Sequence, residues 1–234
     1  MKAESNVKPQ LVERYPGLVR INYDVQEEQR EDMDGTKSTV YVYRMLELPS
    51  VNMSVDELTA ILIADKYDKA TQLQMASDDD KKITLALFTA NCTIYAKKIL
   101  GMEPSLSDVK AQKLAEISVF DASSAVNSFI IDGKNIWLNK DTRLALRQRF
   151  AAEKAAGITS TTLWYKTFKF SLSVDTALDM LNAIEIYACK CYDITAAHKA
   201  AVHSMTDIED ILGYDLKVGY PDKLSFTTTE ECCV

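Results

Sequence analysis

The sequence predicts a mostly helical α+β protein, with an N-terminal β-hairpin and a small antiparallel sheet packed on helices in a C-terminal module. Two alternating apolar–polar runs near the N-terminus predict the first hairpin. Long segments with apolar residues at helical spacing, opened by capping motifs, predict the helices. A second Asp-Gly turn between short apolar runs, near the middle of the chain, predicts the second sheet.

The first run is LVRINYDVQ (18–26). Val19, Ile21, Tyr23 and Val25 point one way and Arg20, Asn22 and Asp24 the other, as in a half-buried strand. Its partner is STVYVYRMLEL (38–48), rich in β-branched and aromatic residues. QEEQREDMDGTK between them is charged and ends in Asp34-Gly35, which predicts an exposed acidic loop closing a hairpin. Ser54 and Glu57 form an S-x-x-E capping box, and Leu58, Ile61, Leu62 and Ala64 follow at helical spacing. A second helix runs from DDDKK (78–82) to Gly101, its aspartates complementing the helix dipole. SDVKAQKLAEISVF predicts a third.

DASSAV (121–126) marks a boundary, giving an N-terminal part over 1–122, a C-terminal module over 123–226 and a disordered tail over 227–234. The module reads β-β-α-β-α-α. Its elements are a hairpin around Asp132-Gly133, a helix over DTRLALRQRFAAEKAAG, and a single strand over LWYKTFKFSLS with Trp164, Phe168 and Phe170 on one face. A long helix over SVDTALDMLNAIEIYACKCYD and a shorter one over TAAHKAAVHSM follow. Thr206 and Glu209 supply a further capping box before TDIEDIL, and GYPDKLSF reads as extended. On the long helix Val174, Ala177, Leu178, Leu181, Ala188 and Tyr192 make an apolar stripe.

At 234 residues the chain suits one large domain or two small ones. A chain this size buries roughly 70% of its unfolded surface, so it needs no metal or disulfide staple. Its 27 basic and 34 acidic residues leave a charge of −7 without a basic cluster, which disfavours nucleic acid as a partner. MKAESNVKPQLVER lacks the apolar core of a signal peptide, and ITLALFTANCTIYA is too short and polar to span a bilayer; a soluble chain away from membranes is expected. The five cysteines (92, 189, 191, 232 and 233) read as reduced thiols of a cytosolic setting, and TTTEECCV is not a prenylation box.

His198 and His203, five residues apart, project about 140° apart on a helix, whereas a shared zinc needs a spacing of four. Helix-surface histidines are expected. Cys189 and Cys191 point about 200° apart and read as core or boundary residues. No Gly-rich phosphate loop and no G-x-S-x-G elbow occurs. No metal, cofactor or catalytic residue is therefore expected.

The most tempting stretch is DGKNIWLNKDTRLALRQRF (132–150). Arg143, Arg147 and Lys154 make a narrow basic stripe, an anion site if the helix start supplied N–H groups. Arg147 and Lys154 lie progressively further from that start, which favours long side chains lying over a core with paired heads. Glu185 falls near the centre of the apolar stripe of the long helix, where an unpaired carboxylate would be costly. The expectation is an Arg143–Glu185 salt bridge between two helices, with Trp137 and Trp164 on neighbouring strands as its hydrophobic anchor.

From Ser123 to Phe226 the elements SSAVNSF, WLNKDTR, EKAAGITSTTLWY, ALDMLNAIEIYACKCYDITAAH and IEDILGYDLKVGYP resemble an uncharacterised domain family of tailed phages and prophages. Its genes lie among virion, tail-fibre and tail-fibre-assembly genes. DELTAILIADKYD looks like the helical lead-in of such proteins. The resemblance implies a place, in the virion or in the host cytoplasm during assembly, and supplies no catalytic residues. It implies phage structural or fibre proteins as partners, with a second copy of the chain as another, and a fibre-assembly chaperone as the alternative role. The hairpin over 18–48, whose Tyr41 and Tyr43 lie in TVYVY, is expected either to dock by adding a strand to a partner or to pack on the chain's own helices. The competing class is a small enzyme of unrecognised type, which a deep pocket with convergent polar groups would favour.

Overall fold

The computed structural model describes residues 2–31, 35–66 and 78–228. Helices take 47% of the chain and strands 26%, with an N-terminal antiparallel sheet and small sheets packed on helices: a mostly helical α+β protein. Two compact units divide it, one comprising 1–116 with 205–213, the other 117–204 with 214–234. The dividing point lies inside a helix and not at the polar DASSAV segment, because those residues continue that helix and its closing turn.

In the first unit, β1 (Lys2–Ser5), β2 (Val12–Tyr15), β3 (Leu18–Glu31) and β4 (Lys37–Leu48) form a four-stranded antiparallel sheet of order β1-β4-β3-β2. The expected hairpin is its centre, and the two outer strands were not legible. β2 turns into β3 through Pro16-Gly17, where Gly17 takes φ 72°, a conformation open to glycine. Val19, Ile21 and Tyr23 are buried, but Asn22 is buried too, against the expectation that it faces water. Segment 10–13 covers that face, and Asn22 Nδ2 donates to the Gln10 carbonyl and to Glu13 Oε1, both at 2.9 Å. The alternation stops at a bulge between Tyr23 and Gln26, where Asp24 takes φ 58°.

Past the bulge the expected acidic loop is strand as far as Glu31. Backbone pairing ignores side-chain polarity, and the cross-strand pairs Gln29–Thr39 and Glu31–Lys37 suit a polar ladder. The Asp34 half of the expected tight turn lies outside the described residues.

α1 (Val55–Lys66), α2 (Asp78–Ile99) and α3 (Leu106–Ala122) follow. The capping box of α1 is reciprocal: Glu57 N donates to Ser54 Oγ at 3.2 Å, and Ser54 N to Glu57 Oε2 at 2.8 Å. These bonds from Ser54, its backbone N–H first, hold the Glu57 carboxyl below its usual range. Ser105 and Asp108 repeat the device on α3. Leu58 and Leu62 of α1 join Cys92, Ala96 and Ile99 of α2 against Val19, Ile21 and Tyr23 to form the core.

In the second unit, β5 (Phe129–Ile131) and β6 (Lys134–Ile136) form the hairpin around Asp132-Gly133, both residues at positive φ. β9 (Ser225–Phe226) adds a parallel third strand. Just beyond it Thr228 is buried, its N–H donating 2.8 Å to Asp132 Oδ1 and its hydroxyl to Oδ2. The expected disorder therefore does not begin at 227, because Asp132 clamps the chain there; 229–234, with Cys232 and Cys233, lie outside the described residues. α4 (Lys140–Ala155) is capped by Asn139, whose side chain accepts from Thr142 N at 2.8 Å, and stops at Gly157 with φ 75°.

LWYKTFKFSLS is not one strand. β7 (Ser160–Tyr165) and β8 (Phe168–Ser173) are a hairpin whose two-residue turn, Lys166-Thr167, puts Lys166 at φ 53°. The absence of the usual Asn-Gly signal hid it. The reversal also separates the aromatic residues: Phe170 is buried beside Leu163, whereas Trp164 is 61% and Phe168 40% exposed.

α5 (Val174–Ser204) is one helix of 31 residues, where two were expected, since no Gly or Pro breaks it. Its buried stripe turns through Ala177, Leu181, Ile184, Tyr187, Cys191, Thr195, His198 and Val202, so the expected Tyr192 lies outside it at 72% exposed. Asp207, not Thr206, caps the short α6 (Ile208–Leu212), accepting from the N–H groups of Glu209 and Asp210.

Candidate functional site

Two clusters of polar groups in the second unit, and one in the first, are organised enough to test for chemistry. The first surrounds Arg143. Asn139 caps α4, which fixes the first turn and turns Arg143 inward to 8% exposed. Its Nε donates 2.8 Å to Glu185 Oε2 on α5, and its Nη1 donates 2.8 Å to the Leu138 carbonyl. The guanidinium carbon sits 5.5 Å from the centre of the Trp137 ring. Trp137 is half-buried against the core, one residue past the end of β6.

Glu185 is not at the centre of the buried stripe; its side chain keeps 44% of its surface in water. The pair is thus asymmetric, a buried cation held by a wet carboxylate. The remaining basic stripe disperses: Arg147 is exposed, and Lys154 pairs with Asp175 at 2.8 Å. Trp164 does not join Trp137; it stands on β7 facing away from the core, 5.9 Å from Lys169 Nζ. Arg143 and Glu185 tie a helix to a helix.

The second cluster was missed. His198 is buried at 8% exposed and is not a surface residue. Its Nε2 lies 2.9 Å from the Val218 carbonyl, which can only accept, so Nε2 carries a proton. Nδ1 meets the Tyr214 hydroxyl at 2.7 Å. The ring stacks on Tyr220 at 5.6 Å and meets Tyr214 edge-on at 5.6 Å. One turn earlier, Thr195 Oγ1 donates to Asp121 Oδ1 and bonds the Tyr220 hydroxyl, both at 2.8 Å. One turn before that, Cys191 is buried, and Tyr187 donates 2.9 Å to the Val126 carbonyl. Burial pushes the Cys191 thiol and the Tyr187 phenol above their usual ranges. The spacing of Tyr187, Cys191, Thr195, His198 and Val202 follows one helix face, a pattern visible only if polar residues are admitted to it.

This cluster is not a nucleophile–base pair. Cys191 and His198 are two helical turns apart, about 10 Å along the axis, beyond hydrogen-bond reach. A protonated thiol is a weak nucleophile, and both nitrogens of the imidazole are already engaged. Cys189 and His203 are exposed, and no three acidic, histidine or cysteine side chains gather to hold a metal among the described residues.

The third cluster lies in the first unit. Tyr23 donates 2.5 Å to Asp65 Oδ2, and Arg44 Nη1 donates 2.8 Å to the Asp65 carbonyl. Burial, then the Asp65 carboxylate, pushes the Tyr23 phenol far above its usual range. Beside it a cleft of about 240 Å³ is lined by Lys2, Asp24, Gln26, Val42, Tyr43, Arg44 and Phe88. Tyr41 and Tyr43 are half-buried on β4. That strand is no free edge there, because β1 pairs with it from Tyr41 to Arg44. Docking of a strand against Tyr41–Arg44 is blocked by the chain itself.

No helix among the described residues is long and apolar enough to cross a membrane. No protein-family model, curated protein or solved structure matches the chain.

Proposed function

We propose that the chain acts through protein–protein contacts, as a structural or tail-fibre-associated component of a phage particle or of its assembly. The observation that carries the contact reading is the outer face of the β7–β8 hairpin. Trp164 stands in water there with Lys169 opposite it on β8, while Arg143, Thr195 and His198 of the same unit are engaged by neighbouring groups of the chain. An exposed indole ringed by long side chains is the make-up of an interface anchor. The phage setting rests on the resemblance of residues 123–226.

Mass spectrometry of purified virions tests the setting. The expected result is a stoichiometric presence of the chain in particles. Its absence from particles but presence on fibre intermediates identifies the assembly-chaperone role. Absence from both removes the phage setting from the account.

A further inference from the structure

The two hairpins carry opposite charges, and each has an open side. Past its bulge β3 extends to Glu31, and residues 26–31 are exposed on both faces. β2 pairs with β3 only as far as Ile21, and β1 pairs with β4 only from Tyr41 onward. The distal part of β3–β4 is therefore a two-stranded ribbon with no third strand on either edge among the described residues. A bare ribbon of this length is marginal in water. Residues 24–37 contain six carboxylates against Arg30 and Lys37. Arg30 is held by Glu4 at 3.0 Å and Glu28 at 3.1 Å on one face. Glu27, Gln29 and Glu31 share the other face, because side chains alternate.

β7–β8 has the complementary character. No Asp or Glu occurs between Glu153 and Asp175. On the outer face Lys169 Nζ lies 5.9 Å from the Trp164 ring, while Lys166 Nζ, 5.4 Å from Tyr165, and Lys134 Nζ, 5.3 Å from Phe168, lie over rings that alternate onto the opposite face. All three lysines are exposed. In a chain of net charge −7 this is a local basic surface with an aromatic centre.

We infer that the acidic ribbon of one chain docks on the Trp164–Lys169 face of the β7–β8 hairpin, next to its Lys166 turn, in a second copy. Glu27 and Glu31 meet the lysines, and the indole is covered by the ribbon. The contact joins different surfaces on the two copies, so it closes into a ring or propagates as an open chain. It rests on the contact reading above and names the partner.

Sedimentation velocity of the full chain over a concentration series, at low and high salt, tests it. The wild type is expected to self-associate, less so at high salt. Glu27→Lys with Glu31→Lys, and separately Lys166→Glu with Lys169→Glu, each weaken association at least tenfold with an unchanged circular dichroism spectrum. An equimolar mixture of the two reversed variants regains it, since each ribbon then faces a hairpin of opposite charge. Trp164→Ala weakens association without altering the spectrum. A chain that stays monomeric at every concentration overturns the inference, as do reversed variants that associate like the wild type or a mixture that does not recover. In the first case charge merely blunts an exposed edge. A monomeric chain that is still found in virions sinks only this self-contact, whereas a self-associating chain absent from particles and fibre intermediates sinks only the phage setting.

Discussion

Tyr23 on β3 and Trp164 on β7 are both large aromatic residues on hairpin strands, and the fold puts them to opposite uses. Tyr23 is fully buried under α1 and α2, edge-on to Tyr95 at 5.9 Å, with its hydroxyl on Asp65. Trp164 is 61% exposed, with Lys169 Nζ 5.9 Å from its ring. An aromatic residue on a strand is therefore neither core nor contact surface by its own chemistry. The element packed against its face decides.

The largest effect expected from this contrast is on Tyr23→Ala, which empties the centre of the first core and should cost about 3–5 kcal/mol in denaturant unfolding. Tyr23→Phe separates packing from the hydroxyl: it keeps the ring, deprives Asp65 of a donor, and should cost about 1–2 kcal/mol. A loss as large as that of the alanine variant would mean the hydrogen bond, not the ring, holds β3 to α1. Glu185→Gln leaves the Arg143 guanidinium buried beside a neutral acceptor, for about 1 kcal/mol, the half-exposed carboxylate being partly screened by water. Unchanged thermal stability would remove the bridge from the account. Trp164→Ala should change stability by less than about 0.5 kcal/mol, since little of the ring leaves water on folding. A larger loss would make the outer hairpin face part of the fold.

The paired carboxylate of the first unit sharpens the comparison with Glu185 through pH. Burial alone would raise the Asp108 carboxyl, but Lys97 Nζ at 2.5 Å and the hydroxyl and N–H of Ser105 outweigh it and hold the carboxyl below its usual range. A carboxyl lowered on folding contributes stability above the ordinary aspartate range and loses it as pH falls through the lowered value. Asp108→Asn should accordingly be destabilising at neutral pH, with a difference from the wild type that shrinks toward acid. Parallel stability curves at all pH values would mean the cap and ion pair do not matter to the fold.

Local signals were legible where a few neighbouring residues complete the interaction. The Ser54–Glu57 box, the Asp132-Gly133 turn and the stop at Gly157 are closed within a handful of positions, and each lies where its residues indicate. The charge pattern placed Arg143 on the first turn of α4 and Glu185 on α5, and the two lie 2.8 Å apart. The errors came where distant chain covers a face. Asn22 and His198 looked like surface residues because the segments that bury them, around Gln10 and Val218, are 12 and 20 positions away. The β7–β8 turn was hidden because Lys166 takes a conformation usually left to glycine or asparagine.

The sequence by itself determined the starts of α1 and α2, the α+β class, the acidic balance and two of the hairpins, since propensity, capping and period are properties of short windows. Only the tertiary structure decided which polar residues are inside, that Tyr41 to Tyr43 have a strand on both sides, and that the acidic stretch after Asp24 is a ribbon and not a loop. Burial and edge pairing depend on what packs from elsewhere in the chain, and no window of neighbouring residues contains that partner.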